Sequence, residues 1–393
     1  MRVFLSPKVL FGRDALTKLA DEVRGKGSKA VIVTDKIMVK LGLAEKIGGI
    51  LKDAGYETMI FDEVEPDPSI QLVKRGAEML GKFQPQWIIG LGGGSAIDTG
   101  KAMWILYERP EYMVSYLPEA VTPGMKLGLR RKARYVSIPT TSGTGADVSW
   151  CIVLSDTDTR RKIPFSNHEI VPDISVLDPE LPLTMPKEIT AITGMDVLTH
   201  AVEGYVSRWA NDFSDGLCLQ AVRMTFEWLP KAYHDGEDLE AREKMHNAAT
   251  IAGLGFGNSN TALAHSLGHP LGAVFRIPHG RAVGIALPYT TQFNAPASAE
   301  RYAEIARFVG IDARSAKEAT QKLVEKMKAL LGSIDEPTSL KQIGIHRKDM
   351  EENMPHLVST ARLDGSTPTN PRRPTEYFEK LLWHIWEGKD VDF

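Results

Sequence analysis

Between Gly194 and Gly280 the chain concentrates residues that bind divalent metals. Asp196 and His200 lie four apart in GMDVLTHAVEGYVS, and His265 and His269 repeat that interval in TALAHSLGHPLGAVFRIPHG. On a helix each pair leaves the same face. His279 stands between Pro278 and Gly280, a local sequence that breaks a helix and aims a side chain from a turn. One carboxylate with three imidazoles is a complete ligand set for a divalent metal of borderline softness. A lone histidine on an apolar helix is usually a hydrogen-bonded core residue. Two spaced pairs and a turn histidine, following a nucleotide-type turn upstream, favour the metal reading.

That upstream turn is the second chemical centre. In QWIIGLGGGSAIDTGKAMWILY, Gly90, Gly92, Gly93 and Gly94 fall at the end of an apolar run, where a backbone without Cβ atoms admits a ligand. Ser95 is expected to open a helix, with Asp98 three residues on completing a capping-box pattern, and a helix amino terminus is a diphosphate site. The spacing G-x-G-G-G-S lacks the third glycine of the usual dinucleotide fingerprint. Asp35, closing the run AVIVTD, is the candidate ribose acid. A carboxylate there accepts from both ribose hydroxyls and repels a 2′-phosphate, which argues NAD over NADP; the competing reading is a helix cap before Lys36. Thr140, Thr141, Ser142 and Thr144 in SIPTTSGTGADVS place hydroxyls beside glycines, which suits adenine, ribose or phosphate contacts and suits a polar surface loop as well. Lys162 is within sequence reach of the same role, although a lysine in a charge run is more often solvated.

The elements that must position these residues fall into two kinds. Strand-like runs at the amino terminus (MRVFLSPKVLFG, a strand or hairpin), Ala30–Asp35, Thr58–Val64 and before Gly92 alternate with helical patterns over Asp14–Val23, Ala44–Ala54 and Ile70–Lys82. This βαβα order predicts a parallel sheet with helices on both faces. LDPELPLTMPKE, with three prolines, marks a boundary. The expected division is an α/β dinucleotide-binding domain over 1–183 and an all-helical metal- and substrate-binding domain over 184–393, with cofactor and substrate meeting in the cleft. Helices are predicted at Lys187–Val206, Asp212–Tyr233, Leu239–Leu254, Thr261–Val274, Ala297–Phe308, Ala316–Leu331, Lys348–Thr360 and Glu376–Glu387.

Composition narrows the function. A chain of 393 residues with a net charge of −3 offers no electrostatic footprint for nucleic acid or an anionic membrane. Two cysteines, Cys151 and Cys218, neither in a CxxC pair, exclude a disulfide framework and fit a reducing cytoplasm. No signal-peptide pattern or bilayer-spanning run is read, and the amino-terminal strand offers an edge for a homodimer or higher homo-oligomer.

GLGGGSAIDTGKA, IPTTSGTGADV, the Lys162 region, GMDVLTHAVEGYVS, HSLGHPLGA with PHG, and NPR near the end occur together and in order. The set resembles the iron-dependent (group III) alcohol dehydrogenases and spans nearly the whole chain. The resemblance implies their architecture, shared with dehydroquinate synthase: an α/β amino-terminal dinucleotide-binding domain plus an all-α metal-binding domain. It implies Asp196, His200, His265 and His279 as ligands of Fe²⁺, with Zn²⁺ next, and His269 as a histidine near nicotinamide and substrate. It implies Gly92, Gly93, Gly94, Ser95, Asp98, Thr140, Thr141 and Lys162 as NAD contacts, Asp35 as the acid of NAD preference, and Phe256 as an aromatic lining the substrate pocket. The implied activity is hydride transfer between a primary or small secondary alcohol, or a diol, and NAD. Ala146–Asp147 departs from the family's commoner Ser–Glu, and Arg276 stands where relatives often carry Asn or His; it favours an acidic substrate if it faces the pocket and means nothing if it faces solvent. The segment from Met103 to Ser137 resembles that of bifunctional aldehyde/alcohol dehydrogenases, with no aldehyde dehydrogenase domain expected beside it. The rival readings are a hydroxyacid–oxoacid transhydrogenase on the same scaffold and a dehydroquinate synthase-type lyase. The lyase set resembles Glu/His/His, which the Asp/His/His/His set here argues against. A non-enzymatic binding module would leave the metal set without a purpose.

Overall fold

The computed structural model describes residues 3–113, 121–122, 124–156 and 161–393, the side chains of 113, 156 and 161–163 excepted. The chain forms two compact units, Met1–Thr184 and Met185–Phe393.

The first unit contains strands β1 (Lys8–Phe11), β2 (Lys29–Val33), β3 (Glu57–Phe61), β4 (Trp87–Gly92), β5 (Arg134–Pro139), β6 (Cys151–Asp156), β7 (Arg161–Ser166) and β8 (Ile174–Leu177). Six of them form a parallel sheet in the order β1-β8-β5-β4-β2-β3, while β6 and β7 make an antiparallel pair. Successive residues alternate between two cores: Val31, Val33 and Ile88 enter one, and Ala30, Ile32, Trp87 and Ile89 the other. A parallel sheet covered on both faces needs that continuous apolar run. Helices α1 (Ala15–Val23), α2 (Lys36–Lys40), α3 (Leu43–Asp53), α4 (Ile70–Phe83) and α5 (Gly94–Glu108) make the crossovers. From β2 the chain steps outward to β3, then returns across β2 to β4 and continues the other way. The carboxyl ends of β2 and β4 therefore flank a topological switch point, where ligands of such sheets sit. Among the described residues the amino-terminal hairpin read as one option is not seen: β1 is a single edge strand, paired in parallel with β8 of the same chain.

The second unit is helical: α6 (Lys187–Val206), α7 (Asp212–His234), α8 (Leu239–Gly257), α9 (Leu263–Phe275), α10 (His279–Phe308), α11 (Ala316–Ser333), α12 (Arg347–Leu363) and α13 (Phe378–Glu387) surround one core. Every residue from Gly194 to Val206 is buried, the signature of a helix enclosed on all sides, and α6 packs against α7, α8 and α10. Two expectations need correction. His279 does not sit in a turn; it is the first residue of α10, with Pro278 as the N-cap, a place where the missing proline N–H has no helical partner to lose. The helix predicted to begin at Ala297 already runs from His279 through Pro288 and Pro296, and it bends at Ser298 (φ −142°, ψ 28°). Buried Val283, Ile285, Ala286 and Leu287 hold this stretch helical despite its prolines. Among the described residues no helix is long and apolar enough to cross a membrane.

Candidate metal centre

Asp196 and His200 lie one turn apart on α6 and Glu203 almost one turn further, all three buried. Close approach of α10 to this helix depends on Gly280: a Cβ there would lie 2.1 Å from the Ile192 carbonyl oxygen and 3.1 Å from Asp196 Cβ. That approach delivers His279, whose Nε2 is 3.5 Å from Asp196 Oδ1. His200 Nε2 lies 3.6 Å and His265 Nε2, from α9, 3.9 Å from the same oxygen. One ligand atom from each of Asp196, His200, His265 and His279 falls within 4.8 Å of the others.

These residues fit a divalent ion. Ligand bonds of about 2.1 Å put tetrahedral neighbours about 3.4 Å apart, close to the separations found. Asp196 Oδ1 and His265 Nε2 are buried and have no hydrogen-bond partner, a costly state for polar atoms that a shared cation relieves. Burial pushes the Asp196 carboxyl up to about 7, with His269 pulling the other way. Burial also holds His265 down to about 3, helped by His269 and opposed by Asp364, so its imidazole is the neutral base that ligation requires. The side chains of Asp196, His200 and His265 are 3%, 6% and 4% exposed, whereas that of His279 is 35% exposed. Three of the four side chains are therefore enclosed, and that of His279 is in part open to solvent.

A second layer holds the first. His265 Nδ1 donates to Glu203 Oε2 at 2.6 Å, which fixes the ring and directs Nε2 toward Asp196. The same carboxylate accepts from the backbone N–H groups of Ala262, Ala264 and His265, at 2.9, 2.5 and 3.4 Å, and so caps α9 from a neighbouring helix. Burial raises Glu203 to about 7, against the pull of those three N–H groups. His269 stays outside the four-residue cluster, its ring stacked on His279 with centroids 5.3 Å apart. Its Nδ1 donates to Asp364 Oδ2 at 2.7 Å. Burial would raise Asp364, but the charge and hydrogen bond of His269, joined by Ser366, bring it down to about 2. Half-buried Phe256, on α8, stacks on His200 at 4.1 Å between centroids. Arg276 is an exposed, left-handed C-cap of α9 (φ 55°). Glu203 and Asp364 escaped the sequence reading, although Glu203, seven residues after Asp196, shares its helix face.

In the first unit, Asp35 and Gly92 meet at the switch point. Asp35 Oδ1 caps α2, accepting from Ile37 and Met38 N–H at 2.8 and 3.1 Å, so the cap reading holds for that oxygen. Oδ2 turns the other way, 3.7 Å from where a Gly92 Cβ would lie. The capping box expected at Ser95 and Asp98 is absent: α5 begins at Gly94, and Gly93 caps it without a side-chain bond. Asp98 Oδ2 instead accepts from Val153 N–H at 3.0 Å, and Oδ1 is buried without a partner. Gly90 serves packing and not a ligand, since a Cβ there would lie 2.0 Å from the Tyr135 hydroxyl. Thr140 N–H donates to the Gly92 carbonyl at 3.0 Å, and Thr141 lies beside Gly93, so the threonine loop is seated on the glycine turn. Lys162 lies on β7, and its side chain is outside the described residues.

A parallel sheet with a glycine turn at its switch point, joined to a helical unit with one carboxylate and three imidazoles in its core, defines a class of metal-dependent oxidoreductase. Residues 6–179 match the model of the iron-containing alcohol dehydrogenases and residues 190–382 that of the Fe-containing alcohol dehydrogenase family, C-terminal, so the chain belongs to the iron-containing alcohol dehydrogenase family. It is 40% identical over 395 residues to an NADPH-dependent butanol dehydrogenase of Clostridium saccharobutylicum, covering 100% of both chains. It is 37% identical over 413 residues to a bifunctional aldehyde-alcohol dehydrogenase of Escherichia coli, spanning 46% of that protein and 98% of its own length. Among solved structures it resembles an alcohol dehydrogenase from Oenococcus oeni (TM-score 0.91, 32% identity, 98% of this chain and 100% of that one). It also resembles a sulfoacetaldehyde reductase from Bifidobacterium kashiwanohense in complex with NAD⁺ (TM-score 0.86, 27% identity, 98% of each). The activity class is alcohol–aldehyde oxidoreduction.

Proposed function

We propose that the chain interconverts a small primary or secondary alcohol, or a diol, with its aldehyde or ketone, using NAD and a divalent ion held by Asp196, His200, His265 and His279. The observation that carries this reading is the convergence of those four ligand atoms within 4.8 Å. Fe²⁺ is the first choice by family and Zn²⁺ the second, since the donor set suits either. The ion, when bound, supplies the Lewis acidity that brings an alcohol's pKa toward neutrality, and the nicotinamide supplies the hydride acceptor. Asp196 contributes the single negative charge, leaving the site net positive toward a substrate oxygen. Glu203 keeps the His265 proton on Nδ1. Phe256 keeps the His200 ring in place and gives the site an apolar wall. His269, oriented by Asp364, relays the alcohol proton at Nε2 toward solvent, to which its side chain is 26% exposed.

NAD is favoured over NADP by the carboxylate of Asp35 beside Gly92, which would repel a 2′-phosphate. The NADPH-dependent relative is the reason to measure both. Gly92, Gly93, Gly94, Ser95, Thr140, Thr141 and Lys162 are the proposed coenzyme contacts; Asp98, bonded to Val153 N–H and facing Lys101, is no longer among them. The transhydrogenase alternative is not favoured by relatives that are dehydrogenases and reductases. A cytoplasmic homodimer or higher homo-oligomer completes the reading, supported by the edge strand β1 with exposed Phe11. Metal analysis of the purified protein, with NADH formation on a panel of alcohols and diols, tests the proposal. His265→Ala should lose metal and turnover together while remaining folded; wild-type metal content in that variant would remove the ligand assignment.

A further inference from the structure

Lys101 is a lysine in the wrong solvent. It lies on α5, two turns from the glycine turn, and is completely buried. Its Nζ donates to the carbonyl oxygens of Ala146 and Ser149, at 2.6 and 2.7 Å. Both carbonyls belong to the loop that begins with Thr140 and Thr141. The acidic groups facing the ammonium are Asp98, one turn back on the same helix, and Asp147 on the loop; Cys151, on β6, faces it as well. Asp147 is itself fixed, its carbonyl accepting from Ser137 Oγ at 2.8 Å and its Oδ2 from Ser175 Oγ at 2.9 Å.

The loop that Lys101 holds has little freedom at its other end. A Cβ on Gly94 would lie 2.9 Å from Thr144 Cγ2, so the loop and the first turn of α5 touch with no side chain between them. The wall carrying the threonine hydroxyls and the wall carrying the helix amino terminus are thus separate chain segments. Lys101 bridges them from behind. Burying an ammonium costs several kcal/mol unless it is paired and hydrogen-bonded, and burial does lower the pKa of Lys101, with Asp98 opposing. A methionine would fill the same space without that penalty, but it would leave two buried carbonyls without donors. Filling space therefore does not account for a lysine here; setting the distance between two walls does.

We propose that Lys101 is a positioning residue for the coenzyme, locking the 140–149 loop onto the glycine turn so that both present their N–H and hydroxyl groups to the diphosphate at one fixed separation. This rests on the dinucleotide reading above. Lys101→Met in the full chain tests it by direct NADH titration, with amide hydrogen exchange across residues 140–149. Loss of two charge-assisted loop contacts is expected to weaken NADH binding by about tenfold or more. Loop amides should exchange faster, while bound metal and turnover at saturating NADH stay near wild type. Lys101→Gln, which keeps an N–H donor at shorter reach, should fall between the two, and it is read against wild type if the methionine variant does not fold. A Lys101→Met protein that is less stable but binds NADH like wild type, with unchanged exchange in the loop, overturns the inference. Wild-type protein that binds metal but no dinucleotide would instead remove the functional reading beneath it.

Discussion

Replacing Glu203 by glutamine changes no shape and removes one acceptor, which makes its effect calculable. The carboxylate takes four hydrogen bonds: Oε1 from Ala264 N–H, and Oε2 from Ala262 N–H, His265 N–H and His265 Nδ1. An amide has one oxygen. If that oxygen stands at Oε2, its NH₂ faces the Ala264 N–H, donor against donor at a site now 2.5 Å across. One buried N–H then goes unpaired, at about 1–3 kcal/mol. If the amide is turned, its NH₂ faces His265 Nδ1. That nitrogen must then become an acceptor, and the imidazole proton moves to Nε2, the atom 3.9 Å from Asp196 Oδ1. The ligand lone pair is lost in that state. Either orientation also removes the negative charge that strengthens the imidazole as a base, and changes of this kind lower metal affinity about 10–100-fold. Competition with a chelator on Glu203→Gln protein reads the metal term, and denaturant unfolding of the metal-free protein reads the capping term. Both should fall. Lost stability with unchanged metal affinity would show that Glu203 only caps α9 and would refute the orienting role.

Three further outcomes are expected. Asp35→Gly should raise the NADP-to-NAD ratio of kcat/KM by about tenfold or more. Because glycine is itself an acceptable N-cap, α2 should lose only a few tenths of a kcal/mol; an unchanged coenzyme ratio would leave Asp35 as a cap alone. Asp364→Asn should lower kcat by about 10–100-fold through misoriented His269, with metal content and coenzyme affinity intact, and equal losses in metal content would assign Asp364 to the scaffold instead. His246, buried on α8, is held down from 6.5 to about 4 by burial. Between those values the unfolded chain takes up a proton that the folded chain refuses, so stability is present above about pH 6.5 and falls away toward pH 4, on the order of 3 kcal/mol. Denaturant midpoints for wild type and His246→Gln across that range should converge as pH falls; parallel curves would exclude His246 as the cause.

How much of this was readable beforehand depended on whether a residue's meaning lay in its type or in its surroundings. Strand–helix alternation was legible because Ala30–Val33 and Trp87–Gly92 are unbroken apolar runs, which only a doubly covered sheet rewards. The start of α10 was not, because Pro278, Pro288 and Pro296 read locally as breaks, and only burial against α6 overrides them. Helical spacing picked out Asp196 with His200 and His265 with His269, and the proline–glycine context picked out His279, but spacing alone could not drop His269; the choice of four came from the family resemblance. Glu203, Asp364 and Lys101 are chemically ordinary. Each reads as a solvated charge, and each becomes unusual only when its head group is withdrawn from water and its partner arrives from 62, 95 or 45 residues away. For Glu203 a local signal did exist, since an acid seven residues after Asp196 and three after His200 must share their enclosed face. A charge on the buried side of an otherwise apolar helix has to be paired. Around a metal the available partner is the distal nitrogen of a ligand histidine, and the packing of α9 beside α6 makes that histidine His265, 62 residues away.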